Sequence, residues 1–214
     1  MSSSFFWHLF EQAPVIGILR GFGPDQVEPL VAAARRGGLT TVEVTMNTPG
    51  APDQIAALAE AFGDDLNVGA GTVCTADDLS MARAAGAQFI VTPVCVPEVI
   101  RTAADDGLVV AAGALTPTEI HQAHTAGAHL IKVFPAGAVG PGYVRAVLGP
   151  LDHLRLVPTG GVNVETIAAY HAAGAFAYGV GGSVFTHERV GAGDWPAIEA
   201  EVRRLLQALA EARQ

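Results

Sequence analysis

The chain has 214 residues, of which 50% are hydrophobic and 15% are charged, and its formal net charge is −9. This length and apolar content suit one domain with a large core. The acidic balance argues against nucleic acid as a general partner, and no stretch approaches the ~18 unbroken apolar residues of a membrane span.

The N-terminal segment predicts no targeting signal. It lacks both the basic residues and the long apolar stretch of a secretory signal. The two cysteines, Cys74 and Cys95, are too few for a disulfide framework. We therefore expect a cytoplasmic protein. Residues 5–12 have the pattern of a short amphipathic helix that could cover one end of the fold.

Eight short runs typical of β-strands recur along the chain, separated by alanine-rich segments typical of helices. The runs are 15–19, 41–45, 67–70, 88–92, 108–111, 129–133, 154–157 and 176–179. Three of them follow nearly the same tetrapeptide, in which Gly86, Gly127 or Gly174 stands where a helix C-terminus needs a left-handed residue. Helix starts are signalled at 24–25, 75–78, 116–119 and 163–165.

Eight strand–helix units without a break in composition predict an α/β fold, a single (β/α)8 TIM barrel over residues 1–214 with a short N-terminal helix. An open doubly wound sheet is the alternative. The even spacing of the units and the lack of a Gly-x-Gly-x-x-Gly turn after the first strand favour the barrel. The repeats describe the fold and by themselves carry no function.

Strand parity predicts which side chains point into the barrel, because successive residues of a strand face opposite sides. In the second strand Thr41, Glu43 and Thr45 form the polar face, which we expect to point inward. The same rule puts Lys132 on one face of the sixth strand and Arg20 at the end of the first. The threonines near other strand ends are Thr72, Thr92 and Thr159. These groups could meet at the mouth where barrel enzymes place their chemistry.

Lys132 is the only lysine of the chain, and it lies in an apolar run. A lysine in a desolvated site can lose its proton and become a nucleophile, which an arginine cannot do. The alternative is a lysine whose stem lies on apolar surface while its ammonium reaches water. Glu43 could be a proton-transfer partner, or half of a structural ion pair with Arg20 or Lys132.

The last two strands lead into glycine-rich loops, at 158–163 and 179–183. Barrels often bind phosphate through the backbone amides of these two loops, and paired glycines allow close approach of an anion. Tight turns alone are the alternative explanation. His121 and His124 lie on a predicted helix without a clear third ligand, so we expect no metal there. His8, His153, His171 and His187 have the pattern of surface or end residues.

Six segments of the chain resemble the 2-keto-3-deoxy-6-phosphogluconate and 4-hydroxy-2-oxoglutarate aldolases, which are class I pyruvate aldolases on a TIM barrel. The segments occur in the family's order, and together they are specific. They are 43–45, 68–73, 89–93, 132–136, 158–162 and 181–183.

The resemblance implies roles residue by residue. Lys132 matches the Schiff-base lysine and Glu43 the acid/base glutamate. Gly161, Gly182 and Ser183 match the phosphate-binding positions, while Thr72 lies in the substrate-carboxylate region. The other residues expected to bind substrate are Arg20, Thr92, Pro93, Phe134, Thr159, Gly160 and Gly181. The resemblance further implies a homotrimer that binds a small phosphorylated keto acid and uses no metal or other cofactor.

One position departs from the family pattern. Many phosphogluconate-type members carry an arginine four residues after the catalytic glutamate, where this chain has Asn47. Here Arg20 ends the first strand instead, a combination that resembles the 2-dehydro-3-deoxy-6-phosphogalactonate branch. We hypothesise that Arg20 supplies the cation that Asn47 lacks. The departure leaves the C4 configuration of the substrate open.

The resemblance implies cleavage of a 2-keto-3-deoxy-6-phospho sugar acid to pyruvate and glyceraldehyde 3-phosphate. Two alternatives remain at this point. One is an enzyme acting on non-phosphorylated acids, a 4-hydroxy-2-oxoglutarate aldolase or an oxaloacetate decarboxylase. The other is a non-catalytic phosphate-binding barrel, against which the pair Lys132 and Glu43 argues.

Overall fold

Eight parallel strands form the barrel that the sequence predicts. The structure is a computed structural model that describes residues 4–214. Neighbouring strands pair in chain order from β1 to β7, and β8 pairs with β1. The strands are β1 Val15–Leu19, β2 Thr41–Thr45, β3 Asn67–Gly71, β4 Phe89–Val91, β5 Val109–Ala114, β6 Leu130–Val133, β7 Leu156–Pro158 and β8 Tyr178–Val180.

The two ends of this sheet meet between β7 and β8. Thr159 and Gly179 form a parallel bridge, and the Phe176 amide donates to the Leu156 carbonyl at 2.9 Å. The nearly closed barrel rules out the open doubly wound sheet. β7 begins later than predicted because the Leu154 amide bonds back to the Leu151 carbonyl at 3.2 Å, in a turn before the strand.

The first helix precedes the first strand, and the other helices follow the strands and form the outer layer. They are α1 Trp7–Gln12, α2 Pro24–Arg36, α3 Ala51–Phe62, α4 Ala76–Ala84, α5 Pro97–Asp105, α6 Pro117–Thr125, α7 Gly140–Leu148, α8 Ile167–Ala172, α9 His187–Gly191 and α10 Trp195–Ala212, with a short 3-10 helix at Ala136–Ala138. Gly86, Gly127 and Gly174 have φ of 85°, 106° and 95°, as their left-handed positions after helices predict.

The helix starts agree with the sequence signals, with one exception. Thr75 and Thr116 cap α4 and α6 through reciprocal bonds with Asp78 and Glu119. The signal at 163–165 is wrong as a helix start, because α8 begins only at Ile167. The Thr166 amide donates to the Asn163 side chain at 2.9 Å, which makes a separate turn before the helix.

The apolar core has two layers, which confirm the predicted parity. Ile16 and Leu130 belong to the cluster inside the barrel. Val44 and Val133, from the opposite strand faces, belong to the cluster between strands and helices. Glu43 and Lys132 therefore lie on the inner face of their strands, where few charged residues are found.

The helix α1 closes the N-terminal end of the barrel, as the amphipathic pattern predicts. Phe10 is fully buried in the inner cluster, with Phe5 and Trp7 packed beside it. The buried Asn67 side chain accepts from the Phe6 amide at 2.7 Å and donates to the Phe6 carbonyl at 3.2 Å. The opposite end of the barrel remains open for the site. Among residues 4–214, no helix combines the length and apolarity needed to cross a membrane.

Candidate active site

A cleft of about 470 Å³ lies at the C-terminal ends of β1, β6, β7 and β8. It brings together most of the predicted site residues. These are Arg20, Lys132, Phe134, Thr159, Gly160, Gly161, Gly181, Gly182 and Ser183. Thr72, Thr92 and Pro93 do not line this cleft. The C-terminal mouth is the position at which barrel enzymes carry their chemistry.

Lys132 is buried on β6, with 4% of its surface exposed. Its Nζ lies 5.4 Å from the centre of the Phe134 ring, and in residues 4–214 no hydrogen bond or ion pair holds it. Burial lowers the pKa of the Lys132 ammonium from its ordinary value, while the Glu43 carboxylate raises it and Arg20 lowers it. The alternative of a lysine reaching along the surface is wrong, because the amine lies inside the barrel mouth.

Glu43 is also buried, with 1% of its surface exposed. Both of its carboxyl oxygens lack a hydrogen-bond partner within the described chain. Burial raises the pKa of Glu43, against the lowering effects of Lys132 and Arg20. A buried carboxyl group with no partner is costly to keep unless it has a role, so Glu43 is a candidate for proton transfer.

Glu43 and Lys132 face the same small cavity of about 10 Å³ below the main cleft, with Ile16 and Ala111 in its wall. Across residues 4–214 no ion pair shorter than 4.0 Å joins Glu43 to Lys132 or Arg20. The structural ion pair considered from the sequence is therefore not formed. An amine and a carboxyl group share an apolar cavity in which small movements, or a bound substrate, can bring them into proton exchange.

Gly71 makes the space that Glu43 occupies. A Cβ atom at Gly71 would lie 2.5 Å from Glu43 Oε1, well inside van der Waals contact. Gly71 pairs with Thr45 across β2 and β3, so its backbone cannot retreat without breaking the sheet. The lack of a side chain at Gly71 therefore leaves the room in which the Glu43 carboxyl group lies.

Gly71→Ala is expected to displace the Glu43 carboxyl group and to reduce the keto acid cleavage that the sequence predicts. Because the contacted atoms are the end of a flexible side chain, the cost in folding free energy should be about 1 kcal/mol, the lower end of the range for overpacking; the midpoint of thermal unfolding measures it. Gly142→Ala is the matched control, since a Cβ there meets nothing within 4 Å. Unchanged turnover in a folded Gly71→Ala variant would show that the carboxyl position does not depend on this contact.

The threonines predicted at the mouth have different surroundings. Thr159 lines both cavities. Thr92 is fully buried; its hydroxyl donates to the Val94 carbonyl at 2.7 Å and accepts from the Gly113 amide at 2.9 Å, so that it joins β4 to β5. Thr72 has φ of 57°, the one positive value outside glycine in residues 4–214. This strained conformation follows directly after β3.

The two glycine loops approach each other at the cleft. Gly160 and Gly161 have φ of 81° and 85°, and a Cβ at Gly161 would lie 2.8 Å from the Cα of Gly137. The Ser183 hydroxyl donates to the Val162 carbonyl at 2.9 Å and so links the two loops. Gly160 and Gly161 have the left-handed backbone that favours glycine, and Gly161, Gly182 and Ser183 line the cleft.

Arg20 is exposed at the edge of the cleft. The backbone after it is held by Thr48, whose hydroxyl accepts from the Gly21 amide at 2.9 Å and lies 3.0 Å from the Thr45 hydroxyl. Sequence analysis did not predict this role for Thr48. It also missed His187, which was predicted to be a surface or end residue; the side chain is exposed but lines the cleft.

No group of three His, Cys, Asp or Glu side chains in residues 4–214 is arranged to hold a metal ion. His121 and His124 are both exposed on α6. The polar side chains of the described site are the Lys132 amine, the Glu43 carboxyl group, the Arg20 guanidinium, the His187 imidazole and the hydroxyls of Thr159, Ser183 and Thr186.

Comparisons relate the chain to known proteins. Residues 8–201 match the family described as "Aldolase: KDPG and KHG aldolase". The chain is 37% identical over 173 residues to 2-dehydro-3-deoxy-6-phosphogalactonate aldolase of Escherichia coli (strain K12), covering 80% of this chain and 84% of that protein. The solved "Native KDPGal structure" has a TM-score of 0.89 at 34% identity, covering 94% of this chain and 96% of that chain.

A further solved structure carries a covalent adduct. KDPG aldolase from Legionella pneumophila, with pyruvate captured at low pH as a covalent carbinolamine intermediate, has a TM-score of 0.83 at 26% identity. The superposition covers 92% of this chain and 96% of that chain. These similarities agree with the resemblance that the sequence motifs carry.

Proposed function

The chain belongs to the KDPG and KHG aldolase family, and we propose from this that it is a class I aldolase cleaving a 2-keto-3-deoxy-6-phospho sugar acid to pyruvate and glyceraldehyde 3-phosphate. The observation that carries the proposal is the buried Lys132 amine in one cavity with the partnerless Glu43 carboxyl group. A binding protein without catalysis would gain nothing from keeping these two groups buried.

Lys132 is the proposed nucleophile. Its Nζ attacks C2 of the substrate to give a carbinolamine, which loses water to form an iminium. The C4 hydroxyl then loses its proton and becomes the aldehyde, while the electrons of the C3–C4 bond move to the iminium nitrogen and give an enamine. Protonation of the enamine at C3, followed by hydrolysis, releases pyruvate and restores the amine.

Glu43 is the proposed proton carrier for these steps. It donates the proton with which the carbinolamine hydroxyl leaves as water, and it accepts the proton from the C4 hydroxyl, directly or through a water molecule. The opposite pKa shifts of the two groups serve this exchange: burial favours a neutral amine on Lys132 and a protonated carboxyl group on Glu43.

The remaining residues bind the two ends of the substrate. The backbone amides of Gly161, Gly182 and Ser183 are the proposed ligands of the substrate phosphate. Binding of the phosphate, which is remote from the reacting carbons, orients those carbons in the site. Arg20 is the proposed partner of the substrate carboxylate, in place of Asn47. Sugar acids of both the galactonate and the gluconate series have the carboxylate and the phosphate that these residues would bind. The similarity to a 2-dehydro-3-deoxy-6-phosphogalactonate aldolase is the reason to test the galactonate series first.

Arg20→Ala is expected to raise the KM for the sugar acid about tenfold or more, because a hydrogen bond to a charged group contributes about 1.5–3 kcal/mol. Steady-state kinetics with the sugar acid, and with pyruvate in the synthetic direction, measure this. Asn47→Ala is the control, since Asn47 is exposed and does not line the cleft. Equal KM values for Arg20→Ala and the unmodified protein would exclude Arg20 as the carboxylate ligand.

The experiment that tests the proposed function is borohydride reduction in the presence of pyruvate, followed by peptide mass mapping. A reduced adduct is expected on the peptide with Lys132, the only lysine of the chain. Parallel assays with both C4 epimers identify the series. Equal turnover of a phosphate-free keto acid would instead favour a 4-hydroxy-2-oxoglutarate aldolase or an oxaloacetate decarboxylase, and absence of any adduct would refute the mechanism.

Family membership also supports properties outside the single chain. We propose a homotrimer, acting in the cytoplasm in sugar-acid breakdown of the Entner–Doudoroff type. We further propose that no metal or other cofactor takes part, because the iminium formed on Lys132 is itself the electron acceptor. Light scattering of the purified protein should give the mass of a trimer. Activity should persist after treatment with a chelator.

A further inference from the structure

The ionisable side chains that line the cleft are all of the basic residue types, although the protein has a net charge of −9. Arg20, Lys132 and His187 line the cleft, and no aspartate or glutamate does so among the described residues. Arg20 and Lys132 already have roles at the carboxylate and keto carbon of the proposed substrate. His187 has none, and this side chain faces the same space.

His187 is held in position without using its ring nitrogens. Its ring packs on Phe22, with centroids 4.9 Å apart and planes tilted by 44°. Gly21, which has φ of 74°, lies next to the same ring: a Cβ added to Gly21 would lie 3.5 Å from His187 Cε1. Over residues 4–214, neither ring nitrogen forms a hydrogen bond or an ion pair. The imidazole can therefore donate to a ligand in the cleft.

The chain after β8 folds His187 back towards the glycine loops. The amides of Val184 and Phe185 both donate to the Gly181 carbonyl, at 2.9 Å and 2.8 Å, which turns the chain sharply after Gly182 and Ser183. Phe185 is buried beside Gly17 of β1 and anchors this turn. His187 thus lies at the mouth together with the loop amides to which the proposed function assigns the phosphate.

We propose that His187 is a substrate-binding residue that donates a hydrogen bond to the 6-phosphate and so selects phosphorylated over unphosphorylated sugar acids. This inference rests on the proposed function, and it adds a side chain to the backbone amides of the glycine loops. A phosphate ester carries a charge of about −1.5 to −2 near neutral pH, and it accepts charge-assisted hydrogen bonds that are stronger than neutral ones.

The test compares two substitutions on two substrates. His187→Phe keeps an aromatic ring to pack on Phe22 but removes the donor, whereas His187→Gln restores an N–H donor without the ring. For the phosphorylated sugar acid, His187→Phe should raise KM about tenfold, and His187→Gln should raise it less. For the same acid without phosphate, both variants should keep the kcat/KM of the unmodified protein. Inorganic phosphate should inhibit His187→Phe more weakly in the same proportion.

His8→Phe is the control, because His8 is exposed on α1 at the opposite end of the barrel. An equal fall in kcat/KM on both substrates would mean that His187 only supports the loop after β1, which contains Phe22. An unchanged kcat/KM on both substrates would mean that His187 does not contact the phosphate. Each result overturns the inference. Pyruvate trapping on Lys132 separates this failure from failure of the proposed function. If trapping succeeds in unmodified protein and in His187→Phe, the aldolase mechanism stands whatever the KM values show.

Discussion

Lys132→Arg is expected to lower kcat by about 10⁴-fold or more, the range seen when a covalent nucleophile is removed. The arginine keeps a positive charge in the barrel mouth, but it does not deprotonate and cannot form an iminium. Because Lys132 is the only lysine, borohydride and pyruvate should then leave no adduct on any side-chain amine. Turnover measurements and mass spectrometry of the intact chain check both parts of the expectation.

The matched control returns a lysine elsewhere in the chain. In a Lys132→Arg background, Arg101→Lys places an amine on the exposed surface of α5. This amine is solvated, so we expect neither activity nor selective trapping to return. Full activity of Lys132→Arg in folded protein would mean that the reaction does not pass through a lysine adduct, and the proposed mechanism would be wrong.

Glu43→Gln is expected to lower kcat by about 10²- to 10⁴-fold, the usual contribution of a positioned general acid or base. The amide keeps the shape of the side chain in the space left by Gly71 but cannot carry the proton. Trapping of pyruvate should become slow rather than vanish, because the Lys132 amine is still present. Glu60→Gln, an exposed position on α3, is the control for loss of one acidic side chain.

Glu43→Gln should also shift the pH dependence of adduct formation on Lys132. Adduct formation requires a neutral amine, so its rate rises with pH through the pKa of Lys132. The Glu43 carboxylate raises this pKa and Arg20 lowers it. Removing the carboxylate should therefore move the rise to lower pH, whereas Arg20→Ala should move it to higher pH. Shifts in the same direction for both variants would contradict these assignments.

The barrel and the two central residues could be predicted from the sequence because they depend on local patterns. Strand alternation is a property of neighbouring residues, and it placed Glu43 and Lys132 inside the barrel before any contact was known. The glycines that end helices likewise follow from the left-handed backbone that they adopt. Lys132, the only lysine of the chain, could be recognised as a candidate nucleophile from its apolar neighbours in the sequence alone.

Other features depend on contacts between distant segments, and only the tertiary structure decided them. Thr92 has the same strand-end position as Thr159, yet its hydroxyl bonds to Val94 and Gly113 instead of lining the cleft. His187 lines the cleft because the turn after β8 brings it against Phe22 of the first loop.

By itself, then, the sequence determined the barrel, the inward direction of Lys132 and Glu43, and the family. The absence of an ion pair between these two residues, the fit of Glu43 against Gly71, and the direction of each hydroxyl came only from the folded structure. The physical reason is that alternation and helix capping are set by backbone geometry within a few residues. Hydrogen-bond partners and steric fit are set by which distant segments the closed barrel brings together.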